Sequence, residues 1–204
     1  SLVGSEMCIR DRYYLRDIFP FGNDCYLRSD MYHQYAPFYS ELWHKLRTGD
    51  TLLYSWDIGM GVNFTSLFAY YLASPINWLI ALLPQKYMIE IMNMLIVMKL
   101  CASSVTFSYY ISKHFHTKKC TIALFGMFYA LSAYSAAYSW NIMWLDCIVL
   151  IPLIMLGLEK LVDENKCYLY CISLGLCIFT NYYISIMVCI SAVSYTHLRA
   201  HETR

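Results

Sequence analysis

Asp30 opens the stretch SDMYHQYAPFYSELW, residues 29–43, and is the best candidate for a catalytic carboxylate. It heads an aromatic-rich amphipathic segment, and a carboxylate held beside a hydroxyl can act as a general base. The plainer reading is a helix N-cap, a role that Ser29 would fill equally well. His33 and Gln34 follow, placed to contact sugar or phosphate oxygens or simply to face solvent. Asp57 lies on the glycine-punctuated turn YSWDIGMGVNF, residues 54–64. Lys99 and Asp146 fall inside long apolar runs, where a charge is costly and marks either function or a structural ion pair. Asn181, followed by Tyr182 and Tyr183, sits in another such run, where it would line a cavity or bond a neighbouring helix. Cys167 and Cys171 share a helix face at i, i+4, but no His or further Cys nearby completes a tetrahedral metal set. We therefore assign no metal site and no cofactor, and leave a divalent metal open. P-loop, Rossmann, HExxH and GxSxG patterns are missing, so soluble-type nucleotide or hydrolase chemistry has no support.

These residues need elements to position them. Four runs are long enough for a bilayer, which takes about 20 apolar residues. They are 88–111, 120–138, 142–161 and 167–191. A fifth, 66–83, is shorter and is interrupted at Ser74-Pro75. The residue before a proline avoids helical angles, so this run is expected to be interfacial or re-entrant. Residues 29–47 predict a helix with apolar Tyr35, Phe38, Leu42 and Leu46 on one face and Gly49 just past its end. Pro37 inside that pattern predicts a kink or a later start. Such a helix could lie on a membrane.

Composition agrees. Hydrophobic residues make up 59% of the 204 and charged residues only 14%, against about 45–50% and about 25% in soluble domains. A formal net charge of +1 gives no basic field for nucleic acid. The nine cysteines lie mostly in apolar runs, where they act as small hydrophobes.

Both ends read as foreign. Leu2 to Asp11 can be encoded by a DNA string whose reverse complement encodes VSYTHLRAHE, residues 193–202. Two segments from opposite strands of one string indicate a sequencing adapter, so residues 1–12 and 193–204 are set aside. The natural protein is expected to continue in both directions.

Loop charge gives the sidedness. SKHFHTKK, residues 112–119, carries Lys113, Lys118 and Lys119, and the loop 160–166 carries Lys160 and Lys166. The turn SWN, residues 139–141, carries none. Short basic loops stay cytoplasmic. This predicts an extracytoplasmic segment 13–87 with interfacial helices, followed by four transmembrane helices over 88–192. Tyr134, Tyr138, Trp140 and Trp144 around the outer turn fit an interfacial belt. The expected fold is all-α, a polytopic transmembrane helix bundle whose extracytoplasmic first loop carries amphipathic helices.

The ordered motifs PFG (20–22), SDMYHQYAPF (29–38), LYSWDIGMGVNF (53–64), AYYLASPINWL (69–79), WNIMWLDCIVLIPLI (140–154) and TNYYIS (180–185) resemble the N-terminal region of YfhO-type bacterial membrane proteins. The resemblance covers nearly all of residues 13–192. It implies a longer protein of the bacterial cytoplasmic membrane, similar to GT-C glycosyltransferases. Such enzymes move a sugar from a polyprenyl phosphate to an acceptor on the outer face, here an envelope polymer such as teichoic acid. It also implies that Asp30 stands at the reaction centre. His33, Gln34, Asp57, Lys99, Asp146 and Asn181 are then candidate substrate-binding residues. The partners would be the lipid-linked sugar, the polymer and the bilayer, with no nucleic acid. Two other readings remain, a transporter or flippase subunit for a lipid-linked substrate and a non-catalytic scaffold. A carrier would bring Lys99 and Asp146 together at the midplane, with Asp30 far away. A transferase would put Asp30 at an outward cleft.

Overall fold

The computed structural model describes residues 11, 14–17, 22, 30–116 and 120–202. Cys25, Ser29, Lys118 and Lys119 lie outside these. Helix dominates as expected, and the only described strands are the two-residue pair β1 (Tyr54–Ser55) and β2 (Val62–Asn63).

The chain enters through a π-helical turn, Met31–Tyr35, that runs into α1 (Ala36–Thr48). The wide turn deals with Pro37, which has no N–H to offer and would crowd the carbonyl one turn back in a regular helix. Gly49 ends α1 in the left-handed region, φ 75°. The sequence suggests that α1 could lie flat on lipid. It packs onto the bundle instead. Tyr35, Tyr39 and Leu42, spaced at i, i+4 and i+7, are wholly buried against Ile80, Met92, Leu95 and Ile142. The two phenols make this possible because each finds a buried acceptor. Tyr35 donates to Asn141 Oδ1 at 2.9 Å and Tyr39 to Asn77 Oδ1 at 3.0 Å.

A hairpin follows, pinned to α1 by one buried cation. Lys45 Nζ donates to the carbonyls of Thr51 (3.1 Å) and Tyr54 (2.9 Å) and lies 3.4 Å from Glu41, which accepts from Ser55 Oγ. Next comes the run 66–83, and it is no continuous helix. It comprises α2 (Phe64–Leu67), a π turn Phe68–Leu72 and, after the Ser74-Pro75 break, a 3₁₀ stretch Pro75–Leu82. At about 2.0 Å per residue that last stretch rises only ~16 Å. Ser74, Asn77 and Ile80 are buried in it, so it is wedged into the bundle.

Among the described residues, three apolar helical stretches are long enough to cross a membrane. They are α3 (Met88–His114), the pair α4 (Thr121–Ala130) and α5 (Ala133–Tyr138), and α6 (Ile142–Glu164). The fourth expected crossing, 167–191, takes another form. It divides at Asn181 into α7 (Tyr168–Thr180) and α8 (Tyr182–Glu202). Thirteen residues rise about 20 Å, short of the ~30 Å hydrocarbon core. α7 starts against Gly157 of α6, where a Cβ would meet Tyr170 N at 2.5 Å, and ends beside Cys147. α8 leaves from the level of Trp144, whose ring stacks on Tyr183, and returns to Glu159 and Asp163. The pair is therefore an antiparallel hairpin along α6. Asn181 makes the turn because its backbone is extended and its Oδ1 accepts from Ile184 N, starting a new helix. α8 continues through the segment that the coding pattern assigns to an adapter.

Candidate functional site

The broken run 64–82 is the organising element. Four of its residues each meet a different part of the chain. Tyr70 O accepts from Asn181 Nδ2 at 3.3 Å, and Tyr71 Oη donates to Gln34 Oε1 at 3.3 Å. Ser74 Oγ donates to Asp146 Oδ1 at 2.9 Å, and Asn77 receives Tyr39. A straight helix would hold these four groups, at i, i+1, i+4 and i+7, on one face about 120° wide. The π turn and the proline break let them reach Asn181, Gln34, Asp146 and Tyr39, which lie on different parts of the chain.

Asp30 sits at the N-terminal edge of the Met31–Tyr35 turn and makes no side-chain capping bond. The plainer reading, a helix cap, therefore does not hold. Its carboxylate acts instead on the phenols around it. Burial first, then Tyr70, then the Asp30 charge push the Tyr71 hydroxyl above its usual range. Burial, Tyr71, Tyr70 and Asp30, in that order, do the same to Tyr35. Rings close the surroundings. Tyr71 meets Tyr35 at 5.5 Å, Phe38 at 5.1 Å and Tyr70 at 4.7 Å, and Tyr70 meets Tyr182 at 5.5 Å. Asp30, Gln34 and Asn181 are thus linked through Tyr70 and Tyr71. His33 is exposed and packs edge-on with Tyr32.

Lys99 and Asp146 meet. Nζ lies 2.7 Å from Oδ2, with Lys99 fully buried and Asp146 nearly so. Lys99 also donates to Ile142 O at 3.1 Å. Both Asp146 oxygens are thereby used, one by Lys99 and one by Ser74. That satisfies a buried pair about as fully as helical side chains can. Asn181 is likewise spent, with its oxygen on Ile184 N and its amide on Tyr70 O. Asp57 stands apart, lining a cleft of about 350 Å³ with Pro37, Ser40, Glu41, His44, Ile58 and Gln85.

A further buried acid, Glu159, was not among the sequence candidates. It accepts from Tyr110 (3.0 Å) and Tyr195 (3.2 Å), and His114 Nδ1 lies 2.9 Å away, at the end of the bundle away from Asp30. It stands two residues before the end of the apolar run 142–161, where no local spacing marks it. Tyr195 belongs to the adapter-like segment. Among the described residues, no group of three or more His, Cys, Asp or Glu could hold a metal.

The family described as "Bacterial membrane protein YfhO" matches residues 6–204. The chain belongs to the YfhO family. Comparison with curated proteins and with solved structures returned no match. This YfhO chain is thus a membrane protein with, among its described residues, three stretches fit to cross a bilayer. Asp146 and Glu159 are bonded within the bundle, and Asp30 is set among tyrosines at its end.

Proposed function

We propose that this chain forms part of a membrane-embedded glycosyltransferase that moves a sugar from a polyprenyl phosphate to a cell-envelope polymer, such as teichoic acid, on the outer face of the bacterial cytoplasmic membrane. The observation that carries the reading is the state of Asp30. It heads the Met31–Tyr35 turn and lies within electrostatic reach of Tyr35 and Tyr71 in a cluster of aromatic rings. A carboxylate in such a place can take the proton of an acceptor hydroxyl as that oxygen attacks the sugar carbon, while the polyprenyl phosphate leaves with the bonding pair. A base in this role is worth about 10²–10⁴-fold in rate. Aromatic faces suit the apolar side of a sugar ring, and Gln34 adds a hydrogen-bonding amide beside Tyr71. Lys99 and Asp146 hold the scaffold in this reading, because their charges are satisfied by each other, Ser74 and Ile142 O.

A second reading, a transporter or flippase subunit for a lipid-linked substrate, is favoured by the same Lys99–Asp146 contact, since a carrier needs charges that meet deep in the bundle. One comparison separates the two. Asp30→Asn in the host bacterium is scored for sugar on the envelope polymer at equal protein level. Loss of the sugar supports the transferase. Full glycosylation by Asp30→Asn removes Asp30 from the chemistry and overturns that reading.

A further inference from the structure

The hairpin between α1 and α2 exposes an apolar tip that the proposed chemistry does not use. Trp56 is 77% exposed, Leu53 69% and Met60 97%. Single exposed apolar residues are ordinary, whereas Trp56 and Met60 on the hairpin 54–63, with Leu53 just before its first strand, put three close together along the chain. The backbone is shaped to present them. Gly59, Met60 and Gly61 all have positive φ (56°, 63° and 109°). For methionine this conformation is unfavourable and needs a reason. At Gly61 any side chain would collide with the Tyr54 hydroxyl and crowd the Trp56 ring. The missing side chain lets those two rings pack edge-on at 4.8 Å.

The position of the tip relative to the bilayer follows from its neighbours. Asp57 and Ile58 share a cleft with Gln85, and Gln85 opens the thirty-residue stretch Gln85–His114 that is fit to cross the membrane. Thirty helical residues rise about 45 Å, the thickness of hydrocarbon core plus headgroups. Gln85 therefore lies at headgroup level, and the tip lies across a cleft from it. Exposed Arg47 and Lys86 in the same region, against the rings of Trp43 and Tyr87, fit a layer of lipid phosphates. From the exposed patch, its strained turn and its continuity with the start of the span, we propose that hairpin 54–63 is a membrane anchor, seating Trp56 and Met60 in the phospholipid headgroup layer of the leaflet where α3 begins. The anchor holds α1 at a fixed height above the bilayer. It does not depend on the sugar chemistry or on which face is outside.

The test is tryptophan quenching by lipid. The whole chain is reconstituted in phosphatidylcholine nanodiscs with lipids brominated near the headgroup end of the acyl chain. Emission is compared between the parent and Trp56→Phe, so that the difference reports Trp56 alone among the five tryptophans. The expected difference emission is quenched several-fold more by bromolipid than by aqueous iodide. Met60→Trp, added to Trp56→Phe, gives a second probe at the turn and should behave in the same way. A difference emission that iodide quenches and bromolipid leaves unchanged, at either position, overturns the anchor. So does quenching by neither, which would mean that protein covers the tip. Because this readout is optical, it stands or falls apart from any assay of sugar transfer.

Discussion

Asp146 and Asp30 are both acids in aromatic, apolar surroundings, and the chain treats them in opposite ways. Asp146 has each oxygen bonded, to Lys99 and to Ser74, so its charge is used up holding α3, α6 and the broken run together. Asp30 caps no helix, and its charge reaches the phenols beside it. The difference teaches that a buried charge in a membrane bundle is not a functional site by virtue of being buried. Asp146 is bonded on both oxygens inside the bundle, whereas Asp30 stands at its edge beside a group of phenols.

The contrast breaks most sharply at Lys99. Lys99→Met leaves Asp146 buried without its cation, and we expect a loss of about 3–5 kcal/mol, read as a lower denaturation midpoint in detergent. The double variant Lys99→Met/Asp146→Leu should recover most of that loss, because an apolar pair replaces an ion pair at little cost. No recovery would show that the pair does more than hold the scaffold. Tyr39→Phe comes next. It strips the donor from Asn77, whose oxygen is fully buried, and should cost about 1–3 kcal/mol. A wild-type midpoint would mean that α1 is not held to the 3₁₀ stretch by this bond. Asn181→Ala removes the cap of α8 and the bond to Tyr70 O, with an expected loss of about 1 kcal/mol. Protease sensitivity at the α7–α8 turn is the direct measure of it. The smallest effect on stability belongs to Asp30→Asn, within about 0.5 kcal/mol, while sugar transfer in cells falls by the ~10²–10⁴-fold of a lost base. A large drop in stability with that variant would move Asp30 into the same class as Asp146.

Much of this was legible along the chain. Hydropathy marked α3, the α4–α5 stretch and α6 to within three residues, because apolar runs of that length have one stable arrangement in lipid. Gly49 ended α1 where a left-handed residue was expected. Lys99 and Asp146 stood out as charges in apolar runs, although nothing in their 47-residue separation said that they meet. Three features were not legible. Tyr39, grouped with neither face of α1 in the sequence, carries one of its two buried phenolic bonds. Asn181 splits an unbroken apolar run because its amide caps better than it continues a helix. Glu159 lies near the end of the run 142–161, and no spacing ties it to Tyr110 or Tyr195.

Composition and the order of apolar runs by themselves determined that this is a largely helical membrane chain, since the cost of an unbonded peptide group in hydrocarbon leaves a greasy sequence few alternatives, and the ordered motifs pointed to the YfhO family. Tertiary structure alone decided which polar groups meet one another. That choice is made by contacts between distant residues, such as Ser74 with Asp146 and Tyr70 with Asn181, whose geometry no local pattern encodes.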